Sequence, residues 1–165
     1  MANITDMNIV GLDKSKMAAN LGDSNEHIVA AILIRLGFDV AISAVHGTPY
    51  DVLIIAYAKP NGEKVMLRAQ IKTASGSVSF IGGSRGGVDR VYKSGVKTYK
   101  YGIEHSDLIL GIDKDTMDIF VIPTKFISAW GTSKATNKIQ ILRNNWDILL
   151  NWNNAYLDAL QKQLP

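Results

Sequence analysis

The clearest pattern in this chain is a pair of alternating stretches joined by a turn. Asp51 opens an apolar run, Val52-Leu53-Ile54-Ile55-Ala56, and Lys59-Pro60-Asn61-Gly62 supplies Pro and Gly for a reversal. The return stretch, Val65-Met66-Leu67-Arg68-Ala69-Gln70-Ile71-Lys72, ends in polar residues. Successive strand side chains point to opposite faces, so Gln70 and Lys72 share a face and Ile71 takes the other. The pattern before the hairpin predicts a short helix around Lys14–Asn20. A longer one, capped by Asp23 or Ser24, runs to about Leu36 with Ile28, Val29, Ile32, Leu33 and Leu36 on its buried face. Phe38–Ile42 reads as a first strand and Val45–Pro49 as a loop.

After the hairpin, Ser75–Gly102 is rich in Gly and Ser and reads as a loop. Its Gly82-Gly83-Ser84-Arg85-Gly86-Gly87 centre lacks the Lys-Ser or Lys-Thr ending of a phosphate-binding P-loop. Asp107–Ile112 reads as a buried strand, Asp113–Thr116 as a turn, and Met117–Ile122 as a second strand stopped by Pro123. Thr124 is placed to cap a short helix to about Trp130, and Gly131–Lys138 is a polar link. Ile139–Leu142 reads as a brief strand. Asn145–Gln163 reads as a final helix with Trp146, Leu150, Leu157, Leu160 and Leu164 along one stripe, best taken as core packing. Helix, strands and helices around a small mixed sheet make an α/β class.

Length and composition narrow the choice of function. At 165 residues, the chain suits one domain over 1–165. Its hydrophobic content of 47% and charged content of 20% are those of an ordinary globular protein, and no apolar run is long enough for a membrane span. The N-terminus lacks the basic start and apolar core of a signal peptide, so the expected location is cytoplasmic. With no cysteine, disulfides and thiolate metal sites are excluded. His27, His46 and His105 are scattered without the spacing of a zinc site. The net charge is only +3, but Arg85, Arg90, Lys93, Lys97 and Lys100 fall in one stretch with Tyr92, Tyr99 and Tyr101 between them. Two readings stand side by side. Either this is a solvated, lysine-dotted loop, or the cations neutralise nucleic-acid phosphates while the tyrosines stack on sugars or bases.

The polar residues of helix and hairpin suggest chemistry. Glu26 lies three residues after Asp23, where it would close a capping box, yet it also borders the buried face of its helix. Asp51 opens an otherwise apolar strand, and Gln70 and Lys72 end its partner. Singly, each has a bland role: a turn aspartate, a water-facing amide, an edge-strand lysine. Phosphodiester hydrolysis accounts for all four together. Mg²⁺ takes oxygen ligands and leaves positions for water and phosphate. Asp51 would be the central ligand, joined by the Gln70 amide oxygen and the Ile71 backbone carbonyl, with Glu26 acting through water or on a second ion. Lys72 would position the attacking water or neutralise charge on the phosphate.

The order Glu26, Asp51, Gln70-Ile71-Lys72 resembles the PD-(D/E)XK nuclease superfamily. It is most similar to the branch of phage and intron homing endonucleases in which glutamine replaces the second acidic ligand (QxK). The resemblance spans about residues 20–125. Two residues depart from the wider pattern: Tyr50 separates Pro49 from Asp51, and Gln70 stands where an acid is usual. The resemblance implies a restriction-endonuclease-like core and a metal-dependent DNA endonuclease of homing or restriction type. Mg²⁺ would be the cofactor, with Mn²⁺ able to substitute, and double-stranded DNA the substrate. A junction-resolving nuclease and a catalytically inactive DNA-binding module on the same fold are the alternatives, and a structural protein with a fortuitous polar hairpin is the third class. Since one site cuts one strand, a homodimer or higher oligomer is expected.

Overall fold

A computed structural model describes residues 8–45, 48–58, 61–83 and 98–165. The chain enters through one long helix, α1 (Lys14–Arg35). Asp13 caps it by accepting the backbone N–H groups of Ser15 and Lys16, each at 3.0 Å. The two helices expected from the sequence are therefore one, and neither Asp23 nor Ser24 is a cap. A single Gly22 costs a helix only about 1 kcal/mol, too little to break one that is well capped and packed. Asn25, Val29, Ala30 and Leu33 form the buried face, whereas Leu36, just past the helix end, is exposed.

The sheet is built as the alternation predicts. β1 (Asp39–Ile42), β2 (Val52–Ala58) and β3 (Glu63–Ala74) form an antiparallel meander, with Val52 opposite Ala69 and Ile54 opposite Leu67. These paired apolar residues line the buried face. The connection after β3 contains three short strands among its described residues, β4 (Ser77–Ser79), β5 (Ile81–Gly83) and β6 (Thr98–Lys100), so it is more ordered than the loop expected. β5 and β6 pair with each other. β7 (Leu108–Asp113) then runs parallel to β3, and β8 (Ile119–Pro123) returns antiparallel, completing the order β1-β2-β3-β7-β8. Both β7 and β8 are buried on both faces, which explains their nearly continuous apolar sequence. Gly111 on β7 lies under Val78, and a Cβ there would sit 2.6 Å from a Val78 methyl carbon.

The last third departs most from the sequence reading. Pro123 is the last residue of β8, and α2 (Thr124–Ile127) follows without a side-chain cap. Thr124 is buried instead, its hydroxyl 3.5 Å from that of Ser106. The polar link holds β9 (Ser133–Ala135), which pairs with β4. Residues Gln140–Leu142 form a 3₁₀ turn and not a strand. Ile139 and Leu142, spaced three apart, are the residues that this turn buries together. The final helix is two helices, α3 (Asp147–Leu150) and α4 (Asn154–Gln161). Asn153 caps α4 through the Tyr156 N–H at 2.9 Å, and Trp152 donates its backbone N–H to Tyr57 of β2. Asparagine side chains compete with the helical backbone in this way, which explains the break at Asn151–Asn153. Leu157 and Leu160 are core residues, as the stripe predicts, and Trp146, Leu150 and Leu164 pack against the core.

Asp118 secures the turn into β8. It accepts from Arg143, Thr116 and Asn144, and the Arg143 and Thr116 hydrogen bonds hold its pKa down to about 2. A lowered folded value means the stabilisation is complete above the ordinary carboxylate range and is lost as pH falls toward 2. Asp118→Asn should remove that acid-limb slope from the melting midpoint and lower the midpoint at neutral pH by a few degrees. Thermal melts of both proteins between neutral and acid pH check this.

Candidate active site

The site forms at the base of the β2–β3 hairpin. Extending the register by one residue sets Asp51 opposite Gln70. The Asp51 backbone is stitched on both sides: its N–H donates to Ala69 at 2.9 Å and its carbonyl accepts from Ser43 at 2.8 Å. This fixes the carboxylate against β3. Its Oδ2 accepts the Ile71 backbone N–H at 2.7 Å and the Gln70 side-chain amide. Burial pushes the Asp51 pKa up, against the pull of the Ile71 N–H, the Lys72 charge and the Gln70 amide. A charged carboxylate in this place is thus only partly compensated by the protein, and a bound cation would complete the compensation.

The Gln70 amide nitrogen lies between two oxygens, the Asp51 carboxylate and the Ile71 carbonyl, the latter at 3.3 Å. The two acceptors face one point, which a cation could also occupy. A half-turn of the amide presents its oxygen there instead, giving three oxygen donors of different kinds. That set suits a hard ion such as Mg²⁺. Among the described residues no group of three His, Cys, Asp or Glu side chains could hold a metal ion. An ion here therefore depends on the amide and the backbone carbonyl.

Lys72 shares the face of Gln70 by strand alternation, as expected. It lies near enough to stabilise the Asp51 charge, and its Nζ sits 5.0 Å from the centre of the Tyr101 ring. Glu26 lies mid-helix and half-buried, so the capping-box reading is excluded. The residue before it, Asn25, is fully buried and donates its amide to the Thr73 hydroxyl at 2.8 Å. The helical turn that carries Glu26 is thereby fastened to the strand residue that follows Lys72. Asn25→Ala should cost about 1–3 kcal/mol, the penalty for stranding a buried polar partner, measurable by urea denaturation. The sequence signal for Asn25 was present: a polar residue four before Val29 and eight before Leu33, on the apolar stripe.

Of the cations proposed to meet DNA, Arg85, Arg90, Lys93 and Lys97 lie outside the described residues, as do Tyr92 and His46. Lys100 is on β6, and its ammonium donates to the Trp130 carbonyl. Tyr101 is only 5% exposed and is not placed to stack on a base. Arg68, to which the sequence reading gave no role, organises the edge of the site. Its backbone N–H, Nε and Nη2 all donate to the Asp107 carboxylate, and its guanidinium also donates to the carbonyls of Ile103 and Glu104.

A mixed sheet with an antiparallel hairpin, a parallel step from β3 to β7 and a helix packed on β3 defines an α/β fold. The solved structure of the bacterial homing endonuclease I-Ssp6803I is similar to this chain with a TM-score of 0.60 over 86% of this chain and 95% of that one. The sequence identity is 16%, so the likeness is one of fold. No family model and no curated protein matches the sequence. Among the described residues, no helix is long and apolar enough to cross a membrane.

Proposed function

We propose that this chain is a metal-dependent DNA endonuclease of the glutamine-variant PD-(D/E)XK type, hydrolysing phosphodiester bonds in double-stranded DNA in the manner of a homing or restriction enzyme. The observation that carries the reading is the convergence of the Asp51 carboxylate, Gln70 amide and Ile71 carbonyl at one point, with Lys72 on the same face. The fold shared with a homing endonuclease supports it.

Asp51, Gln70 and the Ile71 carbonyl would hold Mg²⁺ (or Mn²⁺), and Glu26 would bind through water or serve a second ion. When bound, the ion supplies Lewis-acid chemistry at the phosphate. The residues do the rest. Lys72 orients the attacking water or meets the charge that grows on the phosphoryl oxygens. Burial around Asp51 strengthens every charge interaction in the site. A double-strand break would use two such sites related by two-fold symmetry.

Incubation with duplex, branched and single-stranded DNA tests the reading. Cleavage should require Mg²⁺ or Mn²⁺, stop with chelator, and fall to background in Lys72→Ala. Equal product from the wild type and that variant on every substrate would refute it. Preference for branched over linear duplex would identify a junction-resolving enzyme. One feature favours the second reading, a catalytically inactive DNA-binding module: Gln70 is a neutral amide where an acidic ligand is usual. Binding with steep salt dependence and no cut product in any metal would establish that reading.

The basic stretch is the proposed DNA-backbone contact. Neutralising Arg85, Arg90, Lys93 and Lys97 together should weaken binding at every sequence and make the slope of log affinity against log salt shallower by about 3 to 4. Lys100 is left intact in this variant because it also bonds within the protein. Filter binding across a salt series reads the slope, and an unchanged slope removes the stretch from the interface.

A further inference from the structure

We propose that Tyr101 is a positioning residue for Lys72, its aromatic face setting where the lysine ammonium stands at the site. This inference rests on the endonuclease reading and adds a residue outside its motif. Lys72 Nζ lies 5.0 Å from the Tyr101 ring centre, within the range of a cation–π contact. The ring is itself held on several sides. Tyr99 meets it edge-on at 5.3 Å between centroids, and His105 meets it nearly perpendicular at 6.0 Å while stacking on Tyr99 at 4.4 Å. Beneath them Gly82 leaves room that no other residue would: a Cβ there would lie 2.7 Å from the Tyr99 ring and 2.8 Å from that of Tyr101.

The supports of this aromatic group are anchored to the sheet. Tyr101 donates its backbone N–H to Phe80 at 2.9 Å, and His105 Nδ1 accepts the Gly102 N–H at 3.1 Å. Arg68 holds the segment around His105 by donating to the backbone carbonyls of Ile103 and Glu104 before it and to the Asp107 carboxylate after it. The ring, held on these sides, therefore meets the Lys72 ammonium at the end of a four-carbon side chain. Burial and the neighbouring Tyr99 keep the Tyr101 hydroxyl protonated well above its ordinary range, so the residue acts through its ring and not as a phenolate base.

The test separates ring from hydroxyl and chemistry from binding. Single-turnover cleavage by Tyr101→Leu should be slower by about tenfold or more, with DNA affinity and Mg²⁺ dependence unchanged. Tyr101→Phe, which keeps the ring, should recover most of the wild-type rate. A folded Tyr101→Leu that cleaves at the wild-type rate overturns the proposal, as does a Tyr101→Phe that loses as much as the leucine variant. Should the leucine variant not fold, the wild type decides by NMR: the Lys72 CεH₂ protons should carry an upfield ring-current shift, and normal positions refute the contact. A wild type that cuts no DNA sinks the endonuclease reading instead, a result distinct from all of these.

Discussion

Asp51→Asn should abolish cleavage, by about a thousandfold or more, while making the metal-free protein more stable. Both effects have the same cause. The Asp51 carboxylate is stationed where burial opposes its charge, and the Ile71 N–H, Lys72 and Gln70 offset that only in part, so its pKa is raised. Across the window from the ordinary carboxylate range up to the raised folded value, the folded state holds a proton that the unfolded chain has released. Stability therefore falls as pH rises through that window. Asparagine removes the charge but keeps an oxygen to accept the Ile71 N–H. Gln70 can accommodate it by turning its amide. The expected gain is about 0.5–2 kcal/mol, the size often seen when a strained functional group is relieved. In the wild type, Mg²⁺ should raise the melting midpoint because it binds the folded state alone, and Asp51→Asn should not respond. Melts with and without Mg²⁺, across pH, read all of this. A variant that is destabilised in chelator and still answers to Mg²⁺ would mean that Asp51 is a structural acceptor and the ion binds elsewhere.

The α/β class and the β2–β3 hairpin were more legible in the sequence than the bounds of the helices around them. The hairpin was legible because strand alternation fixes which side chains share a face, and a one-residue slip would have buried Lys72 and exposed Ile71. Asp51, Gln70 and Lys72 therefore fell together without knowledge of anything distant. Errors came where local pattern and tertiary context disagree. Gly22 looked like a boundary, but the Asp13 cap and the face from Asn25 to Leu33 carry α1 straight through it. Ile139–Leu142 looked like a strand because four residues cannot distinguish a period of two from a period of three. The C-terminal stripe was real, but Leu150 sits on one helix, Leu157 and Leu160 on another and Leu164 past its end, because Asn153 caps the second helix and Trp152 bonds to β2. The contacts of Tyr101 with Lys72 and of Asn25 with Thr73 join residues 29 and 48 positions apart. Only the fold brings such pairs together. For Tyr101 the sequence leaves a solvated loop and a base-stacking surface side by side, because its basic neighbours give no hint of the Gly82 seat beside it.

Gln70→Glu is the variant that reports most directly on what the site is for. In the wild type, the amide donates to the Asp51 carboxylate and to the Ile71 carbonyl, so with no ion present it satisfies both oxygens. A glutamate cannot do this when ionised. Two carboxylates about 4 Å apart repel by about 4 kcal/mol at an effective dielectric near 20, and one would escape by keeping a proton. The metal-free variant should therefore be less stable by about 2 kcal/mol or more at neutral pH, and recover as pH falls and the shared proton returns. Mg²⁺ reverses the balance. A second negative ligand should tighten its binding by about tenfold or more, and saturating ion should restore the melting midpoint. Titration calorimetry gives the affinity, and melts in chelator and in Mg²⁺ give the stability. Gln70→Met provides the control: it keeps the bulk, loses every polar contact and should bind no ion. If Gln70→Glu is destabilised in chelator but neither binds Mg²⁺ more tightly nor recovers with it, the amide is a hydrogen-bond bridge between strands and not a ligand. Such a result would favour a DNA-binding module on a nuclease fold. If the ion does rescue the glutamate, Gln70 tempers a metal site: it lowers affinity for the ion but spares the empty protein a pair of facing charges.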